Sequence, residues 1–486
     1  MTIRNGEPIH LKDIPYLNWT GFKEEICDGD RLICLFGKPI SDGKIQLFAV
    51  LGHENTGTLS CLTTDVEGSY PSLTIDCSQA HLFEREIFEQ YGIIPQGHPW
   101  LKPIRVQEVN QTPKPKPQTS HFQIQGEEIH EVAVGPVHAG IIEPGHFRFQ
   151  CHGEDVLHLE ISLGYQHRGI EKALIGGPNK RTITYMETLA GDTTIGHTLA
   201  YCQVYESLAG CSPPPRAEVL RAMALELERL ANHVGDLGAL AGDVGFLPTA
   251  SYCGRLRGDF LNMTALICGS RFGRGMLRPG GVAFDIEEKV MEEIKVRLGK
   301  AFSETKDAVN LLMNTSSVLT RFEGTGKITK STAENLGLVG LAARACGIVR
   351  DVRHEFPLGI FRYSQIPVSK WDTGDVFARA YIRWMEIQRS VAFIQEQLDA
   401  LPEGQVRIVP QPLTKNGFVV SLVEGWRGEI CHVAMTDNSG YFSHYKVIDP
   451  SFHNWMGLAM AMRDEQISDF PLCNKSFNLS YCGHDL

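Results

Sequence analysis

The first hundred residues combine apolar-rich runs with one stretch of helical periodicity. The runs Gln46–Leu51 and Leu59–Thr63 are typical of β-strands. Between Ser78 and Tyr91 the apolar residues return at helical spacing and share one side of a predicted helix: Leu82, Phe83, Ile87 and Tyr91. This pattern predicts a small α+β domain of about 110 residues.

Helical periodicity dominates the rest of the chain. After the prolines at 213–215, apolar residues recur at steps of three and four at Leu220, Met223, Leu227, Leu230 and Val234. A second stripe follows Gly374 and ends before Pro402 and Gly404; its members are Phe377, Tyr381, Trp384, Ile387, Val391, Ile394 and Leu398. Both stripes are expected to face a core, so residues 126–486 are predicted to form one large, mainly helical domain.

A proline-rich segment separates these two regions. In Thr112–Gln118, three prolines alternate with other residues, which fixes φ and removes backbone donors. The predicted organisation is therefore an N-terminal domain over 1–111, an extended linker over 112–125 and a second domain over 126–486.

Composition and charge narrow the classes of function. The 486 residues carry 46 Lys and Arg against 57 Asp and Glu, a formal net charge of -11. A diffusely acidic surface repels phosphate backbones, so nucleic acid is not an expected partner. No stretch is apolar enough to span a bilayer, and the N-terminus lacks the apolar core of a secretory signal. The sequence predicts a cytoplasmic protein that reaches a membrane only through partner subunits.

The 13 cysteines lack the spacing of a metal site. No two are arranged as C-x-x-C, and the odd, scattered set does not indicate a disulfide framework. Most are expected to be small buried apolar residues.

Several motifs carry a family resemblance that runs in collinear order along nearly the whole chain. Glu84–Ile93, followed by Gly97–Pro99, resembles the small peripheral-arm subunit of respiratory complex I. The later motifs are similar to the large subunit of membrane-bound, energy-converting (group 4) nickel–iron hydrogenases and to the related catalytic subunit of complex I. They are Gly135–Gly140, Glu143–Phe149, Gly164–Lys172, Pro215–Ala217, Arg278–Gly281, Glu424–Glu429 and Asp449–Asn454. The resemblance implies an α+β N-terminal domain followed by a mainly α-helical, hydrogenase-large-subunit-like domain.

The departures from this family are informative. In the hydrogenases, two C-x-x-C motifs supply four thiolates to nickel and iron. The corresponding positions here are Ala190, Thr193, Ser480 and Gly483, while Cys482 lies one residue out of register. A soft metal pair needs its thiolate set, so no metal and no other cofactor are predicted in this chain. Iron–sulfur clusters are expected in a partner subunit.

The same comparison raises the question of a quinone ligand. In the complex I subunit, a tyrosine of the early motif is implicated in binding the quinone headgroup. Gly191 lies nearest that position, Tyr185 lies six residues upstream, and the hydroxyl of Thr188 lacks the reach and acidity of a phenol. Quinone therefore stays an open possibility.

Four polar residues are the candidate catalytic groups. By resemblance, Glu143 matches a proton-relaying glutamate and Arg427 an arginine that overhangs the metal centre. His138 and His146 flank Glu143, and a carboxylate beside imidazoles can exchange protons near neutral pH. Asp192 and His197 lie on the altered early loop. The competing interpretation is an ion-pair network that holds loops together.

Three functions follow from the resemblance. The leading one is the cytosolic redox-module subunit of a complex-I-like membrane assembly, coupling electron transfer from an adjacent iron–sulfur subunit to ion transport by antiporter-like membrane subunits. The alternatives are a quinone-reducing subunit and a non-catalytic scaffold, and an active nickel–iron hydrogenase is the least expected. Gly280–Gly281 lacks the G-x-G-x-x-G spacing, so no NAD site is expected.

Overall fold

The structure is a computed structural model that describes residues 1–41, 43–105, 121–137 and 143–486. Most of the predicted linker and His138 lie outside these ranges. The domain boundaries at 111 and 125 therefore stay predictions.

A twisted sheet with two helices forms the N-terminal region. The sheet has the strand order β3-β4-β5-β6-β7, with β1 paired to β5. The elements of the N-terminal region are β1 (Thr2–Ile3), β2 (Ile9–His10), α1 (Trp19–Cys27), β3 (Arg31–Ser41), β4 (Lys44–His53), β5 (Thr58–Glu67), β6 (Ser69–Pro71), α2 (His81–Tyr91) and β7 (Ile94–Gln96). The strands predicted at 46–51 and 59–63 are confirmed as parts of β4 and β5. The predicted helix at 78–91 is confirmed as α2, after one turn of 3-10 helix over 78–80.

Helices dominate the C-terminal region. They are α3 (Ile170–Leu174), α4 (Thr182–Met186), α5 (Thr194–Leu208), α6 (Pro215–Asp243), α7 (Leu247–Cys268), α8 (Glu288–Met313), α9 (Ser316–Phe322), α10 (Lys330–Asn335), α11 (Gly340–Arg344), α12 (Val352–Glu355), α13 (Val376–Asp399), α14 (Pro450–Ala461), α15 (Phe470–Phe477) and α16 (Tyr481–His484). The two predicted long helices are confirmed as α6 and α13. Pro215 occupies the first turn of α6, and Asp375 caps α13 by accepting a hydrogen bond from the Ala378 amide.

Three further groups of strands belong to this region. An antiparallel sheet contains β8 (Ile129–Val134), β9 (His146–His152) and β10 (Asp155–Ser162), and a small pair contains β11 (Leu277–Arg278) and β12 (Gly281–Val282). A four-stranded sheet has the order β15-β14-β13-β2 and contains β13 (Gly417–Glu424), β14 (Glu429–Thr436) and β15 (Phe442–Ile448). Its edge strand β2 comes from the N-terminal region, with His10 opposite Gly417.

This four-stranded sheet lies between two cores. Side chains alternate along β13, so Phe418 and Val420 pack into the N-terminal core while Val419 and Val423 pack among the helices. Every residue of β13 and β14 is buried. The sheet was not predicted, because strands buried on both faces lack the alternation of apolar and polar residues that marks a half-buried strand.

Candidate functional site

Four chain segments meet at the end of the central sheet: Glu143, 190–193, Arg427 and 480–483, called here the former-ligand cluster. The turn Glu424–Glu429 between β13 and β14, called here the Arg427 turn, supplies Trp426 and Arg427. Trp426 Nε1 donates to the Asp192 carbonyl and to Thr193 Oγ1, both at 3.1 Å. Of the residues predicted from the sequence, Arg427 lies beside the early former-ligand loop and Glu143 lies beside the late one.

Arg427 is fixed by several partners. Its Nη1 and Nη2 atoms donate to the two carboxylate oxygens of Asp192 at 2.6 and 2.8 Å, and Nε donates to the Asn478 carbonyl at 2.5 Å. The guanidinium lies 3.9 Å above the ring of Trp426. Burial opposes the charge, but Asp192 outweighs it and holds the pKa of Arg427 above its ordinary value. Arg427 is therefore a permanent cation in a rigid position.

Glu143 lies opposite the C-terminal segment. Its Oε2 atom accepts a hydrogen bond from the Tyr481 amide at 3.2 Å, and its carboxyl also contacts the thiol of Cys482. Burial and the charge of Glu143 raise the pKa of Cys482 to about 11, so this thiol stays protonated near neutral pH. Within the described residues, no hydrogen bond joins Glu143 to His146.

The former ligand positions do not fit a nickel–iron centre. Ala190 offers no donor, and the Ser480 hydroxyl accepts the Gly483 amide at 2.9 Å as the cap of α16. A Cβ atom added at Gly483 would lie 2.6 Å from the Asp449 carboxylate carbon, so a cysteine has no room there. In the described ranges, no three His, Cys, Asp or Glu side chains are grouped to hold a metal ion. The donor set and the space both disagree with the metal of the hydrogenases.

A fully buried row of hydrogen-bonded side chains begins next to the former-ligand cluster. Asp449 Oδ2 lies 3.0 Å from His197 Nε2, His197 Nδ1 lies 3.1 Å from His432 Nε2, and His432 Nδ1 lies 2.9 Å from the Tyr445 hydroxyl. Burial and the neighbouring His197 hold the pKa of His432 well below its ordinary value. The sequence had indicated only His197. His432 lies between apolar residues on the buried strand β14, and a polar residue inside such a strand is the signal that could have identified it. Tyr445 lies between His444 and Lys446 on β15 and carries no such signal.

Glu228 anchors the start of α5, the helix that follows the altered early loop. Its carboxyl oxygens accept the amides of Ile195 at 2.7 Å and Gly196 at 3.2 Å. Burial raises the pKa of Glu228 to about 8, despite these two donors. Sequence analysis missed Glu228, since nothing in the apolar periodicity of α6 distinguishes it.

Below the Arg427 turn lies a network of buried charges. Glu386 accepts Arg344 Nη2 at 2.6 Å and His233 Nε2 at 2.7 Å, and Arg344 Nη1 donates to Glu424 at 2.7 Å. The other members are Glu226, Arg229, Asp351 and Arg353. Burial raises the pKa of Glu424 to about 7. The turn is thus held at its Glu424 end by buried ion pairs.

His146 lies elsewhere, at a large cavity between the N-terminal region and the β9–β10 hairpin. The cavity has a volume of about 830 Å³ and mainly apolar and aromatic walls, including Trp100, Phe122 and Trp455. His81 contributes to it; its Nδ1 atom lies 3.1 Å from the Ser78 carbonyl, while its Nε2 atom is buried and has no hydrogen-bond partner among the described residues.

Three polar residues of the Gly164–Lys172 motif make contacts within the chain. His167 Nδ1 lies 3.1 Å from the Asp485 carbonyl, and Arg168 donates to the carbonyls of Thr188 and Leu189 at 2.9 Å. Glu171 pairs with Lys446 at 2.9 Å.

No helix in the described part of the chain is both long enough and apolar enough to cross a bilayer. Two families match the chain: "Respiratory-chain NADH dehydrogenase, 30 Kd subunit" over residues 22–128 and "Respiratory-chain NADH dehydrogenase, 49 Kd subunit" over 243–416.

Curated relatives extend the similarity. Subunit 5 of the Escherichia coli (strain K12) formate hydrogenlyase is 28% identical over 93% of this chain and 84% of its own length. Subunit 4 of the Thermus thermophilus NADH-quinone oxidoreductase is 31% identical over 70% of this chain and 90% of its own. The carbon monoxide-induced hydrogenase of Rhodospirillum rubrum is 29% identical over 71% and 96%. The chain therefore belongs to the family that unites the catalytic subunits of complex I with the large subunits of group 4 hydrogenases, here fused to a module of the 30-kDa-subunit type.

Proposed function

We propose that this chain is the cytosolic, peripheral redox-module subunit of a complex-I-like membrane assembly and works without a nickel–iron centre. Electrons would arrive from an iron–sulfur partner subunit, and the reaction would drive ion transport by antiporter-like membrane subunits. The observation that carries the proposal is the former-ligand cluster. Its former ligand positions are occupied by protein contacts, while the cation of Arg427 and the carboxyl of Glu143 lie beside them.

The residues in and next to the former-ligand cluster can stabilise negative charge and transfer protons. The fixed guanidinium of Arg427 stabilises negative charge that develops on an acceptor bound beside it. The chain of Asp449, His197, His432 and Tyr445 can move a proton by exchanging hydrogen bonds along its length. Glu143 holds a further proton-accepting oxygen beside Tyr481.

Redox-driven ion transport by the purified, reconstituted assembly tests the proposal. We expect Arg427→Ala to reduce the transport rate by about 100-fold or more, because removing one fixed group that stabilises developing charge costs about 100- to 1,000-fold in rate. Glu143→Gln is expected to reduce it as well.

Arg362→Ala is the control, because Arg362 is an exposed arginine that donates a hydrogen bond to the Pro357 carbonyl. Unchanged transport in assembled complexes of Arg427→Ala and Glu143→Gln would instead support a scaffold without chemistry. The same preparations are analysed for nickel, and a stoichiometric amount would overturn the metal-free part of the proposal.

Quinone reduction is the second candidate, and the cavity beside His146 favours it. Its mainly apolar walls and its size suit an aromatic headgroup, and the imidazoles of His81 and His146 line it. We expect a soluble quinone to be reduced and a headgroup analogue to protect the cavity from modification of its histidines. His81→Phe should weaken binding of the analogue several-fold, whereas His152→Phe, on the outer part of β9, should not.

A further inference from the structure

A residue of the N-terminal region forms an ion pair with the Arg427 turn. Arg31, the first residue of β3, donates from Nη1 and Nη2 to the two carboxylate oxygens of Glu429 at 2.7 and 2.6 Å. Both residues are almost fully buried, at 4% and 2% exposure. Glu429 lies only two residues after Arg427, so the N-terminal region holds one end of the turn by a bidentate pair.

A second contact from the N-terminal region reaches the same turn indirectly. Glu54 accepts Arg31 Nε at 2.9 Å and Arg350 Nε at 2.5 Å, and Arg350 Nη1 donates to the Leu338 carbonyl at 2.5 Å. Glu54 thereby fixes the segment that leads into Gly340.

Gly340 in turn packs directly on the Arg427 turn. A Cβ atom on Gly340 would lie 2.2 Å from the Gly428 Cα and 2.4 Å from the Arg427 carbonyl oxygen. Gly428 itself has a φ of 138°, a conformation that favours glycine. The backbone of the turn is therefore pressed against a segment whose position depends on Arg350 and Glu54.

We propose that Arg31 is a positioning residue for Arg427, so that the N-terminal module shapes the former-ligand cluster rather than serving assembly alone. The role of Arg427 in transport rests on the proposed function; the placement of the turn does not.

Because the Arg31–Glu429 ion pair is buried, it determines the position of the Arg427 turn. Without Arg31, the Glu429 carboxylate would be left buried beside Glu54, with Arg350 already engaged. An unpaired buried charge is costly, and the turn can relieve it by moving Glu429 toward water. Such a movement carries Arg427 away from Asp192, because only Gly428 separates Arg427 from Glu429.

The test uses the full chain in its assembly, labelled with 5-fluorotryptophan. The chain has six tryptophans, and Trp426→Phe assigns the fluorine resonance of Trp426, whose ring lies under the Arg427 guanidinium. We expect Arg31→Gln to shift this resonance and to reduce redox-driven transport roughly 2- to 30-fold, the range for residues that act through a coupled neighbour. Arg31→Lys keeps the charge but loses the bidentate geometry, so it should shift the resonance less, in the same direction.

Glu86→Gln is the matched control. Glu86 is equally buried and joins the same two regions through Lys446, at 2.7 and 2.8 Å, but it contacts β15 and not the Arg427 turn. We expect it to lower the thermal midpoint without moving the Trp426 resonance. A resonance unmoved in both Arg31 variants, or moved alike in Arg31→Gln and Glu86→Gln, would overturn the proposal. A shifted resonance with unchanged transport would support the positioning and count against the proposed role of Arg427.

Discussion

Replacing Arg344 by methionine is expected to remove about 3–5 kcal/mol from the free energy of unfolding. Arg344 is fully buried and donates to Glu424 at 2.7 Å and to Glu386 at 2.6 Å. Methionine fills much of the same volume but leaves these two carboxylates without their main shared cation. Thermal and urea unfolding of the purified chain measure the loss.

Arg255→Met provides the matched comparison, because Arg255 pairs with Asp259 at 2.7 Å on the exposed side of α7. Such exposed pairs contribute about 0–1 kcal/mol. The double variant Arg344→Met, Glu424→Gln should recover part of the loss by removing one stranded charge. Equal losses in Arg344→Met and Arg255→Met would contradict the view that the buried network supports the Arg427 turn.

We expect Glu228 to contribute a fall in stability as pH rises from about 5 to about 8, against the opposite contribution of buried histidines such as His81 and His453, whose pKa values burial lowers to about 3. The ordinary carboxyl pKa is 4.5, and burial raises the pKa of Glu228 to about 8 in the folded chain. Between these values the unfolded chain has released this proton while the folded chain retains it. The contribution is therefore fully present below pH 4.5 and lost as pH rises through about 8, at a cost of a few kcal/mol.

Glu228→Gln cannot ionise, so its pH profile should lack the fall in stability that Glu228 contributes to the unmodified chain. Glu334→Gln, on the exposed face of α10, should leave the pH dependence unchanged. Glu355, with its pKa raised by burial to about 9, and Glu424, at about 7, add to the overall slope, so the informative quantity is the difference between variants. Parallel pH profiles for Glu228→Gln and the unmodified chain would show that Glu228 does not titrate in this range.

The elements predicted from the sequence share a local signal. Helix α13 has a stripe along one face, and its start is marked by Gly374 and the capping Asp375. The central sheet has no such signal, since Phe418 and Val419 are both apolar but belong to different cores. Strands β13, β14 and β15 are neighbours along the chain, but the edge strand β2 and the N-terminal core on one face come from hundreds of residues away, which periodicity within a short window cannot reveal.

The candidate site likewise contains residues that the sequence predicted and contacts that it did not. Motif position alone placed Arg427 and Glu143 beside the former ligand loops. The bidentate pairing of Arg427 with Asp192 could not be predicted, because the two residues are 235 positions apart. The hydrogen-bonded chain through His432 depends equally on tertiary packing, and an isolated histidine in an apolar strand does not identify its neighbours.

Strand β2 pairs with β13 across roughly 400 residues of chain, and this has a consequence for synthesis on the ribosome. At about 5–20 residues per second, the first ten residues emerge on the order of 20–80 seconds before the strand they complete. During that interval β2 has no edge to join, and its apolar neighbours must avoid other partners. In a nascent chain, β1 is therefore expected to pair with β5 early, whereas Ile9–His10 stays unpaired until residues 417–418 have emerged.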